Sequence, residues 1–241
     1  MALTELWLVR HGESMANVAA TRAELDGAEV IPIDIRDADV PLSPTGEQQA
    51  EALIPWLADQ RRAIHTIWVS PYLRARQTLG IALGDSDGSA VISVDERLRD
   101  RELGILDLLT RRGVARLHPG EAERRRHLGK FYHRPPGGES WADVALRLRS
   151  FLRDLLETPG ESALIVAHDA VVMLFLYLML RMEEAQLLEF AADNTVLNAS
   201  ITRIVLTPDG WQVAQFSAVE HLQSEGAPVT VHPGSPDVEP A

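Results

Sequence analysis

Three apolar runs in this 241-residue chain end in residues that a structural turn does not need. Leu6 to Val9 runs into Arg10-His11-Gly12, Thr66 to Val69 into Ser70-Pro71 with Arg74 four residues after Ser70, and Ala163 to Ala167 into His168. Imidazole is a nucleophile and proton carrier near neutral pH. Guanidinium presents a planar fork of donors that matches phosphate and carboxylate oxygens. Two histidines and two arginines in one place would make an anion site with a nucleophile inside it. Each element alone is weak. Arg-His-Gly is a common tripeptide, His168 could be a satisfied half-buried histidine, and Arg74 could be a surface ion-pair residue. The elements that carry them supply the link: in an open α/β sheet, ligands bind beyond the carboxyl ends of the strands.

The rest of the chain has the pattern of such a sheet. Ser43-Pro44 is an N-cap followed by proline at the first helical position, and Ala50, Leu53, Ile54 and Leu57 recur at helical spacing. Tyr72 to Leu83 reads as a helix, and Val91 to Val94 as a third short strand. Ser140 to Leu156 is a long amphipathic helix with Val144, Leu148, Phe151, Leu152 and Leu155 on one side. Ser200 to Leu206 and Trp211 to Phe216 form a hairpin around Pro208-Asp209-Gly210. Strands that alternate with helices predict a single three-layer α/β/α domain with a mostly parallel sheet, spanning 1–223. A helical lid insertion covers 106–136. Residues 224–241 carry four prolines and little that is apolar, which predicts a disordered tail.

Composition narrows the partners. Hydrophobic residues at 46% and charged residues at 24% exclude wholesale disorder. A net charge of −12 argues against nucleic acid or an anionic membrane as partner. With no cysteine there is no disulfide framework, thiolate metal site or thiol nucleophile. The most apolar run, Ala170 to Leu180, is too short to span a bilayer and reads as a buried helix. No signal sequence opens the chain, so a cytoplasmic enzyme is expected. Oligomeric state is not legible, and a homo-oligomer is compatible with the sequence. Lys130 is the only lysine, and the lid segment holds it with seven arginines. The run around Arg124 either steers an anionic substrate or pairs with Glu121 and Glu123. His118, His127 and His133 lack zinc-ligand spacing and read as a solvated face.

Six ordered motifs then carry a resemblance: Leu8-Val9-Arg10-His11-Gly12-Glu13-Ser14 with Asn17; Leu42 to Ala50; Ser70 to Thr78; Leu98-Arg99-Asp100-Arg101-Glu102-Leu103-Gly104; Gly138-Glu139-Ser140; and Ile165 to His168. Together they resemble the histidine phosphatase superfamily, which includes the cofactor-dependent phosphoglycerate mutases and fructose-2,6-bisphosphatases. The resemblance implies that His11 is the nucleophile and becomes a phosphohistidine. Its second ring nitrogen should then donate to a fixed acceptor such as a backbone carbonyl. Arg10, Arg74 and His168, the last protonated or at least a donor, would surround the phosphoryl group, with no metal and no cofactor required. Asp100 is the expected proton donor to the leaving group, with Glu102 its rival; the plainer role for either is an ion pair with Arg99 or Arg101. Ser14 and Asn17 add substrate donors or simply cap a helix. Arg147 falls where the fructose-2,6-bisphosphatases bind substrate, although a helix-face role also fits it. Asp169 departs from the glycine that often follows the second histidine and either orients a donor or caps the next helix. The activity implied is a metal-independent phosphatase acting on a small phosphorylated substrate. A phosphoglycerate mutase and an inactive phosphate-binding module are the alternatives.

Overall fold

The computed structural model describes residues 2–84 and 92–232. Strand β1 (Glu5–Arg10) leads to helix α1 (Met15–Leu25), and α2 (Pro44–Gln60) precedes β2 (Thr66–Val69) and α3 (Leu73–Leu83). After β3 (Ile92–Val94) come α4 (Arg111–Leu117), α5 (Pro119–Tyr132) and α6 (Trp141–Glu157). Then follow β4 (Ser162–Ala167), α7 (Asp169–Met179), α8 (Glu184–Asp193), β5 (Ile201–Thr207), β6 (Gly210–Ala218) and α9 (Glu220–Ser224). Val91, expected in the third strand, lies outside the described residues.

Local chemistry sets the helix starts. Ser43 Oγ accepts from Gly46 N at 3.0 Å, with Pro44 at the first helical position where its missing N–H costs nothing. Ser140 and Asp143 form a reciprocal capping box at the start of α6.

The six strands lie in the order β3-β2-β4-β1-β5-β6. The β3, β2, β4 and β1 strands run parallel, and the β5–β6 hairpin adds antiparallel to β1. Strand side chains alternate between faces, and β1 divides accordingly. Leu6 and Leu8 pack with Phe151 of α6 and Phe175 of α7 on one face. Trp7 and Val9 pack with Leu53 of α2 and Leu79 of α3 on the other. This is the three-layer α/β/α arrangement expected from the sequence. The α7 helix is apolar nearly all round because it is buried nearly all round, and among the described residues no helix is long and apolar enough to cross a membrane.

Helices α4 and α5 fall within the expected lid segment. The tail expectation needs correction. Residues 225–232 are packed: Gln49 Nε2 donates to Pro228 O at 2.8 Å and to Thr230 Oγ1 at 2.9 Å, and His232 is buried. A stretch poor in apolar groups is held here by polar side chains beneath it, which composition does not register. Residues 233–241 lie outside the described residues.

Phe151 is fully buried and meets Trp68 and Phe175 edge-on, with ring centroids 5.2 and 6.0 Å away. Phe151→Ala leaves a cavity between α6 and the sheet. It should cost about 3–5 kcal/mol in urea unfolding, and a loss below about 1 kcal/mol would mean that this face repacks freely.

Candidate active site

Sheet register assembles the site. Arg10 lies opposite Ala167 across β1 and β4, and Val69 lies opposite Val166 across β2 and β4. The residues that follow are His11 and His168, which emerge level at one edge, and Ser70, one residue short of them beside Ala167. His11 N donates to Ala167 O at 2.9 Å and Ser70 N to Val166 O at 3.0 Å, extending the ladder past the strand ends. Close approach of the backbone supports the turn. A Cβ at Gly12 would lie 2.5 Å from the Gly46 carbonyl oxygen, so the turn touches the first helical residues of α2.

The His11 ring has a defined tautomer. Nδ1 lies 2.6 Å from Gly12 O, which can only accept, so Nδ1 carries the proton and Nε2 keeps its lone pair. Burial pushes the His11 pKa well below the ordinary value, and the positive surroundings of Arg74, His168 and Arg10 push it further. Arg10 is 2% exposed; its Nη1 donates to Val196 O at 2.6 Å and its Nη2 to His232 O at 3.0 Å. Arg74 donates to the Asp37 carbonyl at 2.7 Å, to Asp37 Oδ1 at 2.9 Å and to Asp100 Oδ2 at 3.1 Å. Burial works against its charge, but Asp37 and Asp100 outweigh that and hold its pKa above the usual value.

His168 and Asp100 face each other in this site. His168 Nε2 lies 2.8 Å from Ser70 Oγ, and Nδ1 lies 3.2 Å from Asp100 Oδ2. Burial lowers the His168 pKa even though Asp100 opposes it, so the ring tends to neutral instead of standing protonated. Nδ1 lies within ion-pair distance of Asp100 but has no hydrogen-bond partner among the described residues. For Asp100, burial alone would favour the acid form. The fields of His168, Arg74 and His11 and the His168 contact outweigh it and hold the carboxyl well below its usual range. These surroundings therefore hold Asp100 as an anion. Its rival Glu102 accepts from the Tyr72 hydroxyl at 2.9 Å and is about half exposed.

The other expected residues divide. Ser14 and Asn17 make the capping box of α1, and both also line the cavity beside His11. Glu102 lines it as well. Arg147 does not. It is one-tenth exposed, pairs with both oxygens of Glu139, and donates to the backbone oxygens of Arg97 at 2.5 Å and Asp100 at 3.0 Å. Two turns into α6, its side chain lies beneath the loop that presents Asp100 and clamps that loop. Asp169 Oδ1 accepts from Ala170 N at the start of α7, and Asp169 also faces the cavity.

The cavity occupies ≈ 750 Å³. Its floor holds Arg10, His11, Arg74 and Asp100, and its upper wall holds Arg125, Arg126 and Lys130 of α5. Arg124 pairs with Glu121 at 2.9 Å, as the second reading of the basic run expected. His133, expected on a solvated face, is buried, with Nε2 3.1 Å from Glu121 Oε2. Several residues of the site escaped sequence reasoning. Asp37 sits in an irregular stretch with no periodicity to mark it. Asn198, which donates to His11 O at 3.2 Å, precedes β5. Only Glu13 carried a sequence signal, as part of the motif that runs from Leu8 to Ser14, and it is buried.

His11, Asp100 and His168 bring ligand atoms within 4.8 Å of one another, a set that could bind zinc in isolation. Here the shared oxygen, Asp100 Oδ2, already faces Arg74 and His168. A divalent cation would therefore lie against a buried guanidinium, whereas an anion would complement it.

Fold and site together define a class: a three-layer α/β protein with an imidazole-centred anion site at the strand ends. The chain belongs to the histidine phosphatase superfamily (branch 1), whose family profile matches residues 6–218. It is 32% identical over 169 residues to "Probable phosphoglycerate mutase GpmB" of Yersinia enterocolitica, covering 69% of this chain and 70% of that one. Mycobacterial glucosyl-3-phosphoglycerate phosphatase, solved with VO3, superimposes with a TM-score of 0.69 at 27% identity, covering 89% of this chain and 99% of that one. The alpha-ribazole phosphatase of Shigella flexneri shares the fold, with a TM-score of 0.71 at 22% identity over 89% of this chain and 96% of that one.

The His11 surroundings make a spectroscopic prediction. In long-range ¹H–¹⁵N spectra, His11 should remain a neutral Nδ1–H tautomer at and below pH 6.5, because every large influence but the Gly12 contact disfavours its cation. Protonation at or above about 6.5, the ordinary histidine value, would contradict this electrostatic account.

Proposed function

We propose that this protein is a phosphomonoesterase that works through a phosphohistidine on His11, with no metal or dissociable cofactor. The observation that carries the reading is the His11 ring. It is buried and neutral, its Nδ1 is spent on Gly12 O, and its Nε2 is available to the cavity between Arg10 and Arg74. Nε2 attacks phosphorus in line, a P–N bond forms, and the ester P–O bond breaks. Negative charge lies on the three equatorial oxygens throughout, where guanidinium donors are most effective. Arg74 turns donors from Asp37 and Asp100 towards those oxygens, and His168 adds an N–H.

The leaving oxygen needs a proton. The entering phosphoryl group places negative charge against Asp100 and draws Arg74 away from it. Both effects raise the Asp100 pKa, so the carboxyl gains a proton with the substrate and delivers it to the leaving oxygen. In the second half, Asp100 accepts a proton from water as the water attacks phosphorus and the P–N bond breaks. Inorganic phosphate leaves and neutral His11 returns.

Two observations favour water over a second hydroxyl as acceptor. The cavity is of the size that drug-sized ligands occupy, roughly 300–1,000 Å³, so it is large for a triose phosphate. Residues 225–232 lie against Arg10 and Glu13 and do not line the cavity, whereas a mutase must keep its intermediate dry during reorientation. The mutase reading has its own support in the 32% identity to a protein named as a mutase. The net charge of −12 and a cavity of ≈ 750 Å³ lined by Arg10 and Arg74 suit a small phosphorylated substrate, not nucleic acid or membrane.

One assay tests the reading. Enzyme exhaustively treated with EDTA and mixed with labelled phosphate ester should carry acid-labile label on His11 and release inorganic phosphate faster than it interconverts 3- and 2-phosphoglycerate. His11→Ala should lose label and turnover together. Activity lost to EDTA and restored by a divalent metal, or efficient interconversion that depends on priming, would replace this reading.

The acid assignment has a separate test. Asp100→Asn should slow hydrolysis of an alkyl phosphate by about 10²–10⁴ and slow p-nitrophenyl phosphate far less, because p-nitrophenolate departs unprotonated. If that contrast follows Glu102→Gln instead, the proton donor is Glu102.

A further inference from the structure

Residues 225–232 form no part of the cavity wall, yet their polar groups end on the catalytic turn. The His232 carbonyl accepts from Arg10 Nη2 at 3.0 Å. The His232 ring lies between two groups, with Nε2 2.6 Å from Glu13 Oε2 and Nδ1 2.6 Å from Thr21 Oγ1. Glu13 Oε1 accepts in turn from Ser43 Oγ at 2.6 Å. Two residues earlier, Thr230 Oγ1 donates to Asn198 Oδ1 at 3.2 Å, and Asn198 Nδ2 donates to His11 O. Pro228 O accepts from Gln49, whose Oε1 accepts from Glu13 N at 2.8 Å. One short segment is thus tied to Arg10, to Glu13 and, through Asn198, to the His11 backbone.

Arg10 is the group most in need of this. Its guanidinium is buried, and among the described residues its Nε has no hydrogen-bond partner. With Val196 O alone, the planar group would be fixed at one nitrogen and free to turn about it. A second carbonyl on the other Nη fixes the plane, and so fixes where the remaining N–H groups point. His232 suits the anchor because the carboxylate of Glu13 can only accept while the Thr21 hydroxyl can donate. Both ring nitrogens of His232 are thus held, Nε2 by Glu13 and Nδ1 by Thr21.

We infer that the segment from Ala227 to His232 is a positioning strap for the phosphoryl site, with His232 as a positioning residue that acts through Arg10. The inference rests on the reading above, in which Arg10 holds the phosphoryl group.

The test compares wild type with a chain ending at Gly226, with His232→Ala and with His232→Gln, whose amide can still donate to Glu13. The readouts are the inhibition constant of orthovanadate, KM and kcat for p-nitrophenyl phosphate, and the melting temperature. The truncated chain and His232→Ala should weaken vanadate binding and raise KM by about tenfold or more, the scale of one lost charge-assisted hydrogen bond, while His232→Gln recovers most of the loss. If the truncated chain does not fold, the Ala and Gln pair carries the test. A lowered melting temperature with unchanged vanadate inhibition and KM would make the segment merely structural and overturn the strap. So would a Gln variant as impaired as the Ala variant. If wild type itself neither releases phosphate nor is inhibited by vanadate, the phosphatase reading falls first and takes the strap with it.

Discussion

Two guanidinium groups kept almost dry beside an imidazole are the constraint that the rest of this molecule has to satisfy. Arg10 and Arg74 are 2% and 4% exposed. A buried charge without partners would cost several kcal/mol. The two are satisfied differently. Arg74 is neutralised by carboxylates, Asp37 and Asp100. Among the described residues Arg10 touches no carboxylate; two backbone carbonyls accept from it, and Asp169 and Asp100 act on it through their fields. One cation is therefore bound by groups that an incoming anion can displace, and the other by backbone that it cannot. The neutral state of His11 follows from the same arrangement, since a third positive charge has no place there.

Keeping Asp100 in register requires a second, wholly structural network. Arg147 grips the loop of Asp100 from α6 through backbone oxygens and Glu139, and Arg99 adds a contact to Glu139 at 2.8 Å. Gly104, at φ +56°, lets the same loop dock against the backbone around Pro136 and Gly138, where any Cβ would clash. The Asp100 loop is thus held from one side by a buried arginine and from the other by the chain leaving the lid.

The catalytic floor was legible because its logic is local. Apolar runs mark the strands, the residue after each strand is at the sheet edge, and parallel pairing makes those edges coincide. That reasoning reaches Arg10, His11, Arg74 and His168 from sequence. It fails where a role depends on a distant partner. Arg147 looks the same in sequence whether it faces a ligand or a loop. Nothing in the sequence around Asp100 shows that Arg74 and two imidazoles surround it and hold it as an anion. The segment around Thr230 and His232 looks disordered because its stability comes from Gln49, Glu13 and Asn198, which lie far away in the chain and carry no apolar signal. Helix α8 went unread, with Leu187 as its only fully buried residue and so little periodicity to detect.

The placement of the lid has a consequence for how such a protein can change. Arg10 and His168 of the site lie more than 150 residues apart in the chain, whereas α4 and α5 belong to one uninterrupted stretch between β3 and α6. Alterations to that stretch can reshape the mouth of the site without moving a strand. Selection can therefore act on what is recognised while leaving how it is processed intact, and an engineer could exchange the stretch as a cassette.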